Sequence, residues 1–413
     1  MAKLRACFRI LSAAAAALVC AFAVTAGIAQ TQFADSYHVL RGQTLQLSEA
    51  GFSAKAVSAN AVDAALLNTE STGYDTQVLL FGAIPIKTVH VSVTEPQWLI
   101  PCGTPFGIKM FTSGVMVVGL SEIETPAGKA NPAEQAGLQV GDIITTLNGT
   151  PVYENSAISQ AIQESNGAAV SLGFQRDGVA LQTTLQPVQA TDGGYKGGLW
   201  VRDSTAGIGT VTFYDPATGG FGGLGHGICD VDTNSLMPMK DGEIVPVTIS
   251  GITKGQKGAA GELRGYFSSN TAVGSLFLNC DEGVYGALLQ APVQQQALPV
   301  AMKQEIQQGP AQILATVQDG EPQYYDITIE SIAHQSNSRV KNLIVQVTDP
   351  ALLAQTGGIV QGMSGSPIVQ NGKLVGAVTH VFLNDPTKGY GIFAENMVEN
   401  LQQIPQYLVQ KAS

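Results

Sequence analysis

Histidine is scarce in this 413-residue chain, at five residues, and Asp, Glu, Lys and Arg together make up only 13%. Aromatic residues reach only 7%. Basic residues form no long run, and acidic residues outnumber them 32 to 21, for a net charge of −11. That balance excludes a nucleic-acid binder held by phosphate contacts. The sequence has no His-Glu-x-x-His, no cysteine cluster and no phosphate-binding loop, so neither a metal nor a nucleotide cofactor is expected. Cysteines are too few for a disulfide framework. Cys7 and Cys20 lie in the N-terminal segment, and Cys102, Cys229 and Cys280 allow one bridge at most. No tandem repeat is present. What the sequence does have is 45% hydrophobic residues and 47 glycines. The first excludes a mostly disordered protein. The second, with many Val, Ile and Thr runs, points to short strands and tight turns. The length suits two or three domains.

The N-terminus stands apart. Lys3, Arg5 and Arg9 precede Ile10–Ala29, which carries no charge and nine alanines. Such a run is long enough to span a bilayer, and Gly27-Ile28-Ala29 is a weak small-residue cleavage site. The length favours a retained anchor over a cleaved signal peptide. Either way the rest of the protein is expected to be exported. Without residues 1–29 the balance becomes 18 basic against 32 acidic residues. The remainder divides into a polar tether and juxtamembrane region (30–97), a compact module (98–188), a Gly-rich linker (189–198) and an all-β domain (199–413).

In the compact module, Asn131 can cap a short helix that Pro132 opens and Gly137 ends. Val140-Gly141-Asp142-Ile143 then runs into an Asn148-Gly149 turn. A second helix is expected over Asn155–Glu164, with Ile158, Ala161 and Ile162 on one face. The pattern Ala-Gly-Leu-x-x-Gly-Asp-x-Ile-x-x-x-Asn-Gly resembles the PDZ domains of bacterial proteases. This resemblance implies an α+β fold that binds a peptide, or the C-terminus of another protein, by adding it as a strand. Its carboxylate-binding loop would map onto Thr104, Pro105, Phe106, Gly107 and Ile108. Pure packing against the neighbouring domain is the alternative.

Two segments of the last domain carry chemistry. Gly225-His226-Gly227 follows a strand and a turn, and its glycines allow backbone or substrate to approach closely. Gly362-Met363-Ser364-Gly365-Ser366-Pro367 resembles the nucleophile loop of chymotrypsin-like serine proteases. There the N–H groups of Gly362 and Ser364 would form an oxyanion hole. A hairpin with an Asn371-Gly372 turn follows. The order, His before Ser, also fits that class. The group that orients His226 is open to Asp281, Asp326 and Asp349, and to Asp230 and Asp232 beside the His loop. Asp349 lies only 15 residues before Ser364, an unusual spacing. His380 reads as a pocket wall or a structural histidine, Asp230 and Asp232 as loop-ordering residues. Cys229 lacks an oxyanion loop and is not expected to be a nucleophile.

Taken together, Leu224–Thr233, Thr348–Leu353, Thr356–Pro367 and Ala377–Pro386 resemble the stage IV sporulation protein B (SpoIVB) peptidase family. The resemblance implies a mainly β fold: a chymotrypsin-like double β-barrel protease domain behind an α+β PDZ domain and an N-terminal membrane anchor. It implies His226 as general base, Ser364 as nucleophile and Asp349 as the acid; Asp281 is the second choice for the acid on its place between His226 and Ser364. It further implies a serine endopeptidase exported into the space between forespore and mother cell during endospore formation. There it would cleave itself and a regulatory partner of an intramembrane metalloprotease, leading to sigma-factor processing. Two rival readings are a catalytically silent PDZ adaptor and a general extracytoplasmic quality-control protease.

Overall fold

The computed structural model describes residues 32–47, 51–57, 73–334 and 338–404, with isolated positions between 16 and 27. The apolar run Ile10–Ala29 lies largely outside the described residues. Among the described residues, no helix is long and apolar enough to cross a membrane.

The region read as a tether contains a folded sheet. β1 (Ser36–Leu40) pairs in parallel with β4 (Ile84–Thr94), which continues antiparallel to β3 (Gly73–Leu80) and β2 (Phe52–Ala56). Phe33, Tyr37, Val39, Val78 and Val91 close a small core. The alternation of Tyr37 and Val39 is too brief to read as a strand alone; its partner lies some 50 residues further on. This sheet docks on the far end of the protein. His38 Nδ1 meets Glu395 Oε1 at 2.6 Å, and Gln304 Nε2 donates to the His38 carbonyl at 2.6 Å.

β5 (Trp98–Leu120) is the longest element and joins two domains. Its last residues enter the PDZ fold, where Val115 and Met116 pair with Ile144 and Ile143 of β8 (Ile143–Leu147). The small hairpin β6 (Ile123–Thr125) and β7 (Gly128–Ala130) leads to α1 (Pro132–Gln135), capped by Asn131 as expected. β9 (Thr150–Pro151) closes the Asn148-Gly149 hairpin, and α2 covers Asn155–Glu164 with Ile158 and Ile162 buried. β10 (Val170–Arg176) and β11 (Val179–Leu185) complete the sheet. Asp142 of the Gly-Asp-x-Ile pattern is buried and receives two Arg176 hydrogen bonds of 2.7 Å, which ties the end of α1 to β10. The expected linker is a hairpin, β12 (Val188–Gln189) with β13 (Tyr195–Lys196).

The first barrel-like sheet is a ring of six strands. β5 pairs with β14 (Leu199–Tyr214), then follow β15 (Gly220–Gly223), β19 (Gly283–Leu288), β18 (Gly274–Cys280) and β16 (Met239–Thr253). β16 returns to β5 through Met239–Pro246 and closes the ring, while β17 (Glu262–Phe267) extends β16. β20 (Leu298–Pro299) crosses toward the second unit. That unit is a closed barrel of β21 (Gly309–Ala315), β22 (Gln323–Ile332), β23 (Leu343–Val347), β26 (Asp385–Phe393), β25 (Lys373–Phe382) and β24 (Pro367–Gln370). α3 (Pro350–Thr356) precedes the nucleophile loop, and α4 (Ala394–Leu401) packs over the junction.

Two expectations are corrected here. The compact module does not begin at residue 98, because the first half of β5 is a stave of the barrel. The carboxylate-binding loop does not exist at Thr104, Pro105, Phe106, Gly107 and Ile108. These residues run mid-strand, paired with β14 on one edge, and Phe106–Ile108 also pair with β16 on the other. Phe106 and Ile108 are core residues, so this stretch offers no loop of free N–H groups to hold a carboxylate.

The docking of the N-terminal sheet is pH-sensitive. The Glu395 hydrogen bond raises the His38 pKa above 6.5 despite burial. Burial works against the Glu395 charge, yet His38 and Lys303 hold its pKa below 4.5. The His38 contribution is complete below pH 6.5 and lost above its raised pKa; the Glu395 contribution is complete above pH 4.5 and lost as pH falls. The protection of β1 amides, taken relative to intrinsic exchange at each pH, should therefore be greatest between about pH 4.5 and 6.5 and fall above it. In His38→Ala that fall should disappear.

Candidate active site

His226 and Ser364 meet at one cleft between the barrels, lining a cavity of about 520 Å³. His226 follows β15 on a loop that begins at Leu224, a non-glycine residue with φ of 64°. Its Nδ1–H donates to the Gly227 carbonyl at 2.9 Å. That bond leaves Nε2 with its lone pair, the tautomer that a general base needs. Burial holds the His226 pKa below 6.5, partly offset by the Gly227 carbonyl. The ring packs 4.9 Å from His380, whose own pKa is pushed down to about 4 by burial, by His226 and by Lys341. Both imidazoles are therefore neutral at pH 7. His380 is the pocket wall expected of it.

Ser364 sits between α3 and β24. Its Oγ–H donates to the Thr379 carbonyl at 2.7 Å, so the hydroxyl points at a backbone acceptor. Among the described residues, neither the Gly362 nor the Ser364 N–H forms a backbone–backbone hydrogen bond outside helices and strands. Gly362 and Gly365 have φ of 96° and 97°, which glycine alone adopts freely. At Gly365 space is also decisive. A Cβ there would lie 2.6 Å from Leu224 N and closer still to the Thr210 carbonyl. The glycine thus serves contact between the nucleophile loop and the His loop.

Thr210, which sequence reasoning passed over, holds this junction. Its Oγ1 donates to the Gly362 carbonyl at 2.7 Å and its N–H to the Ser364 carbonyl at 3.1 Å. Its carbonyl accepts Leu224 N–H at 3.2 Å. The stretch Gly207-Ile208-Gly209-Thr210 was the available signal: glycines within a strand mark close backbone approach.

The acid is the main correction to the site. Asp349 caps α3, accepting N–H groups of Ala351 and Leu352 at 2.8 and 3.0 Å. The structure does not bring it to His226, whose Nδ1 is taken by a carbonyl. The 15-residue spacing has this physical reason: Asp349-Pro350 is a helix start. Asp326 receives Gln312 Nε2 at 2.9 Å beside it. Asp281 presents its carbonyl to Gly227 N–H at 3.1 Å and borders a second cavity with His226. Asp230 orders the His loop as expected, accepting Asp232 and Thr233 N–H groups at 3.0 and 2.9 Å. Desolvation opposes its charge, but those N–H groups and Arg202 keep its pKa low. Arg202 also reaches Asp232 at 2.8 Å. Burial and Asp281 raise the Cys229 thiol pKa, which keeps it protonated.

A second groove belongs to the PDZ fold. Ile158 and Ile162 of α2 face Leu199–Val201 of β14 across a cavity of about 640 Å³. Described residues that could ligate a metal form no group of three or more.

Two outcomes are expected. Asp349→Asn preserves the cap and should leave kcat within about threefold of wild type, whereas Asp349→Ala should lose about 1 kcal/mol of stability in denaturant unfolding. A drop in the Asn variant on the order of 10⁴-fold would restore Asp349 as the acid. Thr210→Val should lower kcat on the order of 10- to 100-fold with little change in KM, and Thr210→Ser should restore most of it.

Comparison with known families agrees with this geometry. Residues 193–398 match the SpoIVB peptidase S55 family and residues 125–176 a PDZ domain. The protein is 41% identical over 76 residues to the zinc metalloprotease RasP of Shouchella clausii, covering 18% of each. It is 32% identical over 93 residues to the putative zinc metalloprotease LL2128 of Lactococcus lactis, covering 22% of its own length and 20% of that relative. It thus spans about a fifth of the length of the curated relatives it matches. Among solved structures, the PDZ domain of the SdrC-like protein Lmo2051 from Listeria monocytogenes is 19% identical, with 22% of the present protein and 87% of that domain covered and a TM-score of 0.18. The Rv3671c protease in its inactive form is 13% identical, with 48% and 84% covered and a TM-score of 0.28. The chain belongs to the SpoIVB peptidase S55 family, as a serine peptidase whose PDZ domain is continuous with its first barrel.

Proposed function

We propose that the protein is an exported, membrane-tethered endopeptidase of chymotrypsin-like double-barrel architecture. The observation that carries this reading is the shared cleft of His226 and Ser364, with the His226 tautomer set by the Gly227 carbonyl. Ser364 Oγ turns from the Thr379 carbonyl to the substrate and gives its proton to His226 Nε2. It attacks the peptide carbonyl, and the oxyanion is held by the N–H groups of Gly362 and Ser364. His226 then protonates the leaving amine. Water, deprotonated by the same nitrogen, releases the acyl group and regenerates the hydroxyl. A backbone carbonyl orients His226 without adding negative charge, so the imidazolium is stabilised less than in a carboxylate triad.

The PDZ groove is the proposed site for a peptide or the C-terminal end of a protein, added along Leu199–Val201 and covered by α2. β14 runs from that groove to Thr210, which supports control of the nucleophile loop by the PDZ domain. The proposed setting follows from the family: the space between forespore and mother cell, with a regulator of an intramembrane metalloprotease as substrate, leading to sigma-factor processing.

Expression of the full-length protein and of Ser364→Ala tests the enzyme. Wild type should shorten itself near the N-terminus and bind a fluorophosphonate at Ser364, and the variant should do neither. Equal, stable bands with no labelling in either protein would leave the PDZ adaptor reading in its place.

A further inference from the structure

His226 stands between two cavities of opposite character. The first, of about 520 Å³, contains Ser364 and Gly362 and has aliphatic walls that include Ile228, Ile359, Val360, Val381 and Leu383. Among the described residues, no Asp, Glu, Lys or Arg lines it. The second, of about 900 Å³, lacks Ser364 and Gly362 and is lined by Asp230, Asp281, Glu282 and Arg339. His226 and His380 border both.

Acyl transfer gives this asymmetry a direction. The residue whose carbonyl is attacked must lie on the side of Ser364 and Gly362. The leaving amine takes its proton from His226 and departs on the other side. The aliphatic cavity therefore receives the side chain on the acyl side of the bond. Ile359 and Val360 are almost completely buried and belong to the second barrel's core, so that wall is rigid. Gly389 keeps it in place, since a Cβ there would come within 2.8 Å of Ile359 Cδ1. Val381, packed against the same core, and the exposed Leu383 also line the cavity, at the end of β25 and just beyond it.

The geometry points to selectivity for an aliphatic residue on the acyl side of the cleaved bond, with Val381 and Leu383 as the specificity-determining residues. This rests on the peptidase reading above. A Lys or Glu side chain entering the cavity gives up hydration and finds no counter-charge in its walls. An aliphatic group gains contact and loses no polar partner, and pockets of this kind discriminate by 10-fold or more. The opposite cavity, with charges of both signs, places no such demand on the leaving side.

The test uses the full-length protein and peptidyl diphenyl phosphonates carrying Val, Leu, Lys or Glu at the acyl-side position. In the labelling step Ser364 Oγ bonds to phosphorus, and one phenol leaves with the hydroxyl proton. A generic fluorophosphonate reports whether Ser364 is reactive at all. Val and Leu probes should label at least about 10-fold faster than Lys and Glu probes. Leu383→Asp or Val381→Asp should raise the Lys probe relative to the Leu probe by a similar factor. Fluorophosphonate labelling with Lys or Glu probes as fast as Val and Leu would overturn the selectivity and leave the peptidase intact. Absence of labelling by every reagent would overturn both.

Discussion

Everything at the cleft depends on one hydrogen-bonded contact between two barrels. Thr210, in the first, takes hold of both Gly362 and Ser364 in the second, and its own carbonyl fixes the start of the His loop. Gly365 lets these backbones come that close. Each bond is an ordinary one of about 1 kcal/mol net. Their joint effect is larger, because they set the relative position of His226 and Ser364, the proposed base and nucleophile, which different sheets carry. Misplacement by an ångström there costs far more in rate than the bonds contribute to stability.

The same strand that carries Thr210 begins in the PDZ groove. β14 and β5 each serve two domains, so no flexible linker separates ligand recognition from the cleft. β14 leads from Leu199–Val201 to Thr210, with its pairing to β5 irregular between Trp200 and Val201 and between Arg202 and Ser204. The N-terminal sheet adds a third connection, through His38 and Glu395, to α4 at the barrel junction. The domains thus form one mechanically linked body.

The His226 partner gives the site its electrostatic character. A carbonyl fixes the tautomer, burial lowers the pKa, and the neutral His380 ring lies alongside. With no carboxylate bonded to it, the imidazole has no reason to gain basicity. Its neutral form persists below pH 6.5. The resting Ser364 hydroxyl bonds to the Thr379 carbonyl, so the attack proposed for it requires a rotation of that side chain.

Local chemistry made much of this legible. Asn131-Pro132 and Gly137 bounded α1, Ile158 and Ile162 marked the buried face of α2, and Asn148-Gly149 and Asn371-Gly372 named their hairpins. The glycines around His226 and Ser364 singled out the two residues that share the cleft. These signals work because capping, helical periodicity and left-handed turns depend on residues within a few positions of one another. What sequence missed depends on distant partners. Thr104–Ile108 read as a binding loop, yet β14 and β16 pair with this stretch from some 100 and 140 positions away and bury it. Asp349 read as an acid by its place before Ser364, but the helix it starts claims its oxygens first. Thr210 had no distinguishing neighbour except glycine, and its role exists only once two barrels meet. Sequence alone singled out the His and Ser that share the cleft, since that signal lies in the side chains and their immediate backbone. Only the tertiary structure decided that the Gly227 carbonyl orients His226 and which walls enclose Ser364, because those are set by contacts between strands far apart in the sequence.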